Sequence, residues 1–219
     1  MNGKPTSGMG AAVEPGRDRV TLDGRPVRLP ESHRYLAYHK PRGLLVSRRG
    51  QGGRRTVFES LGARARGLHA VGRLDLDSEG LLLLTDDGDL SEALLHPRTA
   101  ILRRYRVWVS PVPDAASLRR LKGGGTVEGQ RVAPLQVVLE GMDRGQGVLA
   151  IDLAEGKKRE VRTLARDAGL RVARLLRIQF GAVHLGPLAP GALRPLARSE
   201  VAALQRDAFR GPAADATLR

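Results

Sequence analysis

Between residues 105 and 180 the chain alternates short apolar segments with two amphipathic ones, and that rhythm limits its possible folds more than any other feature. "YRVWV" (105–109) has the composition of a strand. "DAASLRRLK" (114–122) reads as a helix, with Asp114 placed to cap its first free N–H groups. "VAPLQVVL" (132–139) and "GVLAIDL" (147–153) read as strands. "REVRTLARDAG" (159–169) is a helix ended by Gly169, and "VARLLRIQF" (172–180) is a strand. The order βαββαβ predicts an α+β fold, with helices on one face of a mixed, mainly antiparallel sheet.

Upstream, "RYLAYHKPRGLLVS" opens as a strand that breaks at Pro41 and Gly43. "LLLLT" (81–85) is short and bounded by Gly80 and "DDG", so it predicts a buried strand rather than a helix. "LSEALLH" follows as a short helix stopped by Pro97. Aromatics make up only 3% of the chain, so the core must be built from Leu, Val and Ala. No apolar run exceeds four residues, which predicts neither a membrane span nor a signal-peptide core. The absence of cysteine removes disulfides, thiolate metal sites and a Cys nucleophile, and fits a reducing cytoplasm.

Lys and Arg number 37 against 23 Asp and Glu, a net charge of +14. Such a surplus points to a polyanionic partner, above all nucleic acid. An anionic membrane surface would call for a basic helix with bulky apolar residues, and no strong one is present. The charge is concentrated in two places. "RRGQGGRR" (48–55) carries Arg48, Arg49, Arg54 and Arg55 in what reads as a mobile loop without an apolar anchor. The other concentration includes Lys157, Lys158, Arg159, Arg162 and Arg166. Val161, Leu164, Ala165 and Ala168 form the apolar stripe of that helix, while Arg159, Arg162 and Arg166 share another face. A solvated face and a phosphate-binding face both fit, and the Arg excess with "EGKKR" at the helix entrance tilts the reading toward phosphate.

Against this background "VGRLDLDSEGLLLLTDDGDL" (71–90) gathers six carboxylates. Asp75, Asp77, Glu79 and Asp86 match the ligand spacing of a calcium loop, with Gly80 at its glycine. The flanks oppose that reading, because "LLLL" fills the place where such a loop turns, and no metal is expected. Asp86, Asp87 and Asp89 lie in ordinary turn chemistry. Asp75 stands beside Arg73, just ahead of the turn into a buried strand, which places it near the floor of a cleft. The five histidines are scattered without metal-ligand spacing.

The same stretch resembles the signature of bacterial ribosomal-RNA pseudouridine synthases of the RsuA/RluB type. "YLAYHKPRGLLVS" resembles that family's opening strand and "RRYRVWV" its tyrosine-bearing strand. "EGKKREVRTLARDAGLRVARLLRIQFGAVHLGPLAPGALRPL" resembles its last conserved block, so the likeness runs from about residue 33 to 200. The resemblance implies isomerisation of uridine to pseudouridine in ribosomal RNA or a pre-ribosomal particle, without cofactor or metal, by a monomer in the cytoplasm. "REVRTL" favours the large subunit. The family's essential acid falls on Asp75, its tyrosine on Tyr105 and its basic partner on Arg162. By this likeness Asp75 attacks or stabilises charge as the glycosidic bond breaks, Tyr105 stacks on the base, and Arg162 holds Asp75 ionised from about 3 Å. Arg73, Leu74 and Gly80 match too, with phosphate or internal pairing, packing and a tight turn as their expected jobs. Lys158, Glu160, Thr163 and Leu164 depart from the residues that family members often carry. A catalytically silent RNA-binding or ribosome-assembly protein on the same scaffold is the alternative.

Residues 33–208 are thus expected to form the catalytic domain, and 209–219 a disordered tail. Residues 1–32 are expected to be a module remnant and linker, of which 2–24 resemble the second half of a small RNA-binding module of the alpha-L type, with "DG" at 23–24 as a turn. Its helical first half is absent, which fits a fragment, a misassigned start or a natural truncation alike.

Overall fold

The computed structural model describes residues 1–6, 13–14, 17–27 and 32–209. It divides into two units, Met1–His33 and Arg34–Arg219. In the first, β1 (Thr21–Leu22) and β2 (Arg25–Pro26) pair antiparallel. Asp23 and Gly24 turn between them with φ of 49° and 76°, the left-handed pair that suits a two-residue hairpin.

The second unit runs β3 (Tyr35–Lys40), α1 (Val57–Leu61), β4 (His69–Val71), β5 (Glu79–Thr85), α2 (Gly88–Leu95), β6 (Arg103–Ser110) and α3 (Ala115–Gly123). It continues with β7 (Gly125–Val127), β8 (Gln130–Val132), β9 (Gln136–Asp143), β10 (Gln146–Leu153) and α4 (Glu160–Asp167), then β11 (Arg171–Phe180), β12 (Val183–His184), β13 (Leu193–Pro195) and α5 (Arg198–Phe209). Nine strands form one sheet in the order β13-β3-β5-β11-β6-β10-β9, with β12 added on β11 and β4 on β5. Every pairing is antiparallel except β5 with β11.

The burial of the Leu81–Leu84 run follows from this arrangement. All seven residues of β5 are buried. Leu82 and Leu84 pack with Leu61 of α1 and Leu164 of α4, while Leu81 and Leu83 pack with Leu90 of α2 and Leu204 of α5. Successive side chains alternate faces, so four leucines in a row require cover on both. Helices therefore flank both faces of the sheet here, contrary to the one-sided arrangement the pattern predicts. One-sided cover holds for β6 and β10. There Tyr105, Val107 and Val109 enter the core, while Arg104 and Arg106 point away and pair with Asp152 and Glu140 at 2.6 and 2.8 Å.

Other details also differ. "VAPLQVVL" is not one strand, because Pro134, which has no N–H for a ladder, separates β8 from β9. The hairpin β7–β8, α1 and α5 were not predicted. Thr56 and Glu59 close a capping box on α1. Arg48 donates to the Leu68 carbonyl and lies over the Phe58 ring, so the basic 48–55 segment has an aromatic anchor after all. Phe209, read as the start of the tail, ends α5, and 210–219 lie outside the described residues.

One seam of the sheet is narrow. β5 and β11 meet at only two residue pairs, Glu79 with Leu176 and Gly80 with Arg177. A Cβ on Gly80 would stand 2.3 Å from the Arg177 carbonyl oxygen, and Gly80 has φ +108°. Gly80 is thus not in a tight turn. It lies inside β5, where only glycine lets the two backbones approach. Among the described residues no helix is long and apolar enough to cross a membrane.

Candidate active site

A cleft opens beside this seam. The loop between β4 and β5 gives it Arg73, Leu74, Asp75 and Ser78, β6 gives Arg103 and Tyr105, the segment leading into α4 gives Lys157 to Val161, and β11 gives Leu175, Arg177 and Phe180.

The loop carrying Asp75 is held by its carbonyls. Ser78 N–H closes a turn onto the Asp75 carbonyl at 3.1 Å, and Gly43 N–H donates to Leu76 at 2.8 Å. Arg162 Nη2 donates to the Asp77 carbonyl at 3.0 Å. The Lys40 ammonium donates to the carbonyls of Pro41, Asp75 and Ser78 at 3.1, 3.1 and 2.8 Å. Lys40 is fully buried at the end of β3, and burial pulls it down to about 8, against the opposing charges of Asp75, Asp77 and Glu79. Four consecutive carbonyls are therefore engaged. The Asp75 carboxylate is half-buried on the cleft wall and makes no hydrogen bond or ion pair within the described residues.

This corrects the expected pairing of Asp75 with Arg162. Arg162 reaches Asp77 instead, with Nη2 3.3 Å from its carboxylate, and Arg159 shares that carboxylate at 3.4 Å. The reason lies in the turn, because the guanidinium that binds the Asp77 carbonyl meets the side chain of the same residue. Asp75 acts on Arg162 only through its field, which with the stronger field of Asp77 opposes the lowering that burial imposes on the guanidinium.

The floor is polar and deep. Tyr105 is 7% exposed and pairs directly with Arg177 across β6 and β11. Arg177 and Arg103 both lie against the Phe180 ring, 5.4 and 5.1 Å from its centre. Arg103 donates to the carbonyls of Ile101 and Ala154, and Arg177 Nε to that of Leu81. Glu160 opens α4, and its Oε2 accepts from Lys157 N–H at 2.9 Å. Burial pushes its carboxyl up, and the Lys157 N–H opposes this.

The structure gathers Arg73, Lys157, Lys158 and Arg159 around Asp75 and Tyr105. It does not bring Arg166 there, since Arg166 faces outward on α4 and pairs with Asp167 at 3.0 Å. Nor does it bring Arg48, Arg49, Arg54 or Arg55, of which Arg48 lines a separate groove with Phe58 and Arg66. Lys40, Ser78, Arg103, Glu160 and Arg177 were not predicted as site residues. The readable signal for Arg103 was alternation, since it shares the inward face of β6 with Tyr105. The calcium reading fails on geometry. Glu79–Thr85 is a strand, and at about 3.3 Å per residue it carries Asp86 roughly 20 Å from Glu79.

Residues 34–166 match the RNA pseudouridylate synthase family. An uncharacterized RNA pseudouridine synthase of Aquifex aeolicus is 35% identical over 205 residues, covering 93% of this chain and 82% of the relative. The ribosomal large subunit pseudouridine synthase B of Bacillus subtilis is 32% identical over 213 residues, covering 96% and 86%. A crystal structure of a pseudouridylate synthase superposes with a TM-score of 0.70 at 26% identity, covering 93% of this chain and 86% of that one. With 35% identity across four-fifths of a relative and a family match over residues 34–166, the chain belongs to the RNA pseudouridylate synthase family.

Proposed function

We propose that this protein isomerises a uridine of ribosomal RNA, in the large subunit, to pseudouridine. The observation that carries the reading is the Asp75 carboxylate, which has no hydrogen-bond or ion-pair partner among the described residues, on a cleft wall shared with Tyr105 and rimmed by Arg73, Lys157, Lys158 and Arg159. In this reading the basic rim receives the phosphates flanking the target nucleotide and fixes its register. Tyr105 offers its face to the base. Asp75 is the anion that meets the sugar or base as the C1′–N1 bond breaks. The base turns, C1′ bonds to C5, the C5 proton leaves and N1 takes up a proton, so no atom is gained or lost overall. Arg162 is a positioning residue that clamps Asp77 and thereby the loop that presents Asp75. In this reading the protein acts as a monomer, in the cytoplasm where ribosomal RNA resides.

Pseudouridine mapping of ribosomal RNA with and without the gene tests this, with restoration by wild type and by Asp75→Asn. One site should vanish, return with wild type and stay absent with Asp75→Asn, although that variant still binds RNA. An unchanged map refutes the activity and leaves the silent RNA-binding alternative.

A further inference from the structure

Among the described residues six buried side-chain polar atoms lack a hydrogen-bond partner, and three of them, Ser78 Oγ, Glu160 Oε1 and Arg177 Nη2, belong to residues lining the cleft. Glu160 and Arg177 are 3% and 2% exposed. In each, one end of the side chain is anchored, by Lys157 N–H or to the Leu81 carbonyl, and the other end is left over. Buried polar atoms of native proteins are nearly always paired, so exceptions in one cleft call for an explanation. Because Arg177 is the cross-strand neighbour of Tyr105, its side chain springs from a Cα directly opposite, with Cβ atoms about 5 Å apart. A base packed on the Tyr105 ring therefore lies next to the strand position that carries Arg177.

We propose that Arg177 and Glu160 read the edge of the uracil ring, with Arg177 Nη2 donating to the C4 carbonyl and Glu160 Oε1 accepting from N3–H. This rests on the function proposed above and adds which residues select the base. The uracil edge runs acceptor, donor, acceptor, and the two unpaired protein atoms, on residues that line one cleft, supply a donor and an acceptor. Cytosine presents an N3 lone pair and an amino group at the same places, so it would set lone pair against carboxylate and N–H against guanidinium. A site that leaves buried groups unpaired with the wrong ligand discriminates strongly.

The experiment couples enzyme and substrate atoms. Wild type and Glu160→Ala are compared in single-turnover conversion of RNA carrying uridine or 3-deazauridine, which lacks the N3–H, at the target. Hydrogen bonds to a charged group are worth about tenfold to a hundredfold. The 3-deaza penalty in wild type should exceed that in Glu160→Ala by about tenfold or more. For Arg177, Arg177→Lys is compared with wild type on uridine and 4-thiouridine, and the thio penalty should shrink by about tenfold. If alanine at 160 proves too costly to the fold, Glu160→Met, which fills the same space, repeats the measurement. A purely structural role would lower all rates together and leave the penalties equal, and equal penalties overturn the inference. Wild type converting its uridine while the penalties stay equal discards this inference alone. Wild type converting none discards the function beneath it.

Discussion

Lys40 offers the sharpest test of how the site is built. Lys40→Met keeps the length of the side chain and removes the ammonium that holds the carbonyls of Pro41, Asp75 and Ser78. Two opposing terms set the outcome. Pulling the ammonium from 10.5 to about 8 costs about 3 kcal/mol at pH 7, at about 1.36 kcal/mol per pH unit, and methionine relieves that cost. Against this stand three bonds to a charged donor at about 1.5–3 kcal/mol each, of which the Asp75 carbonyl recovers part through Ser78 N–H. The net expectation is a loss of about 1–3 kcal/mol, a fall of several degrees in Tm for a unit of this size. Single-turnover conversion should drop by about tenfold or more, since the loop bearing Asp75 loses two of its anchors. The pH dependence fixes the sign. The folded-state value lies below the unfolded one, so between about 8 and 10.5 the unfolded chain holds a proton that the folded chain has released. Wild type should therefore gain up to about 3 kcal/mol relative to Lys40→Met as pH rises through that window. Urea unfolding of both proteins at pH 7 and pH 9.5 measures the gap. A gap that does not widen with pH, together with wild-type turnover in the variant, would refute the argument that a buried charge holds this loop.

Three further outcomes are expected. Arg73→Ala and Lys158→Ala, whose charges have no carboxylate partner among the described residues, should each reduce the salt slope of RNA binding by about 0.7–0.9, whereas Arg166→Ala, paired with Asp167, should change it less; equal slopes for all three would show that the cleft rim is not the phosphate path. Gly80→Ala should destabilise by more than the 1–3 kcal/mol of a strained backbone, because its Cβ would stand 2.3 Å from the Arg177 carbonyl oxygen, and an unaltered denaturation midpoint would contradict the seam. Asp87→Asn should stay active and nearly as stable, since asparagine caps a helix about as well as aspartate does, and a dead enzyme would move Asp87 into the site.

The strands around Tyr105 and Leu175 and the helices α3 and α4 were readable because their apolar periods are local and strong. So was the Asp114 cap, which accepts from Ser117 N–H at 2.7 Å. The five-residue α1 was missed although its capping pair Thr56 and Glu59 was in view, because so short an element has no period to detect. The partner of Arg162 was harder still. Asp75 and Asp77 are two residues apart, and the choice between them depends on a turn pinned from β3 by Lys40. Arg177 looked like one more member of a basic run, and only the register of β11 against β6 sets it beside Tyr105. Pairings of this kind depend on contacts between distant segments, and local pattern does not carry them.

The narrow seam at Gly80 and Arg177 also bears on how the protein acquires its activity. Joining residues 97 apart costs roughly 4 kcal/mol of loop-closure entropy, and the two pairs formed there return little until the neighbouring strands are in place. Parallel pairing at such separation belongs to the slow end of folding. Asp75 lies just before the loop so closed, Tyr105 and Glu160 lie within it, and Arg177 lies at its far end. The cleft is therefore expected to form as one of the last events of folding, so that a partly refolded chain should present basic surface to RNA before it can act on it. In refolding experiments, protection of the β5 and β11 amides and recovery of turnover should rise together, after the hairpin of β9 and β10 has already formed.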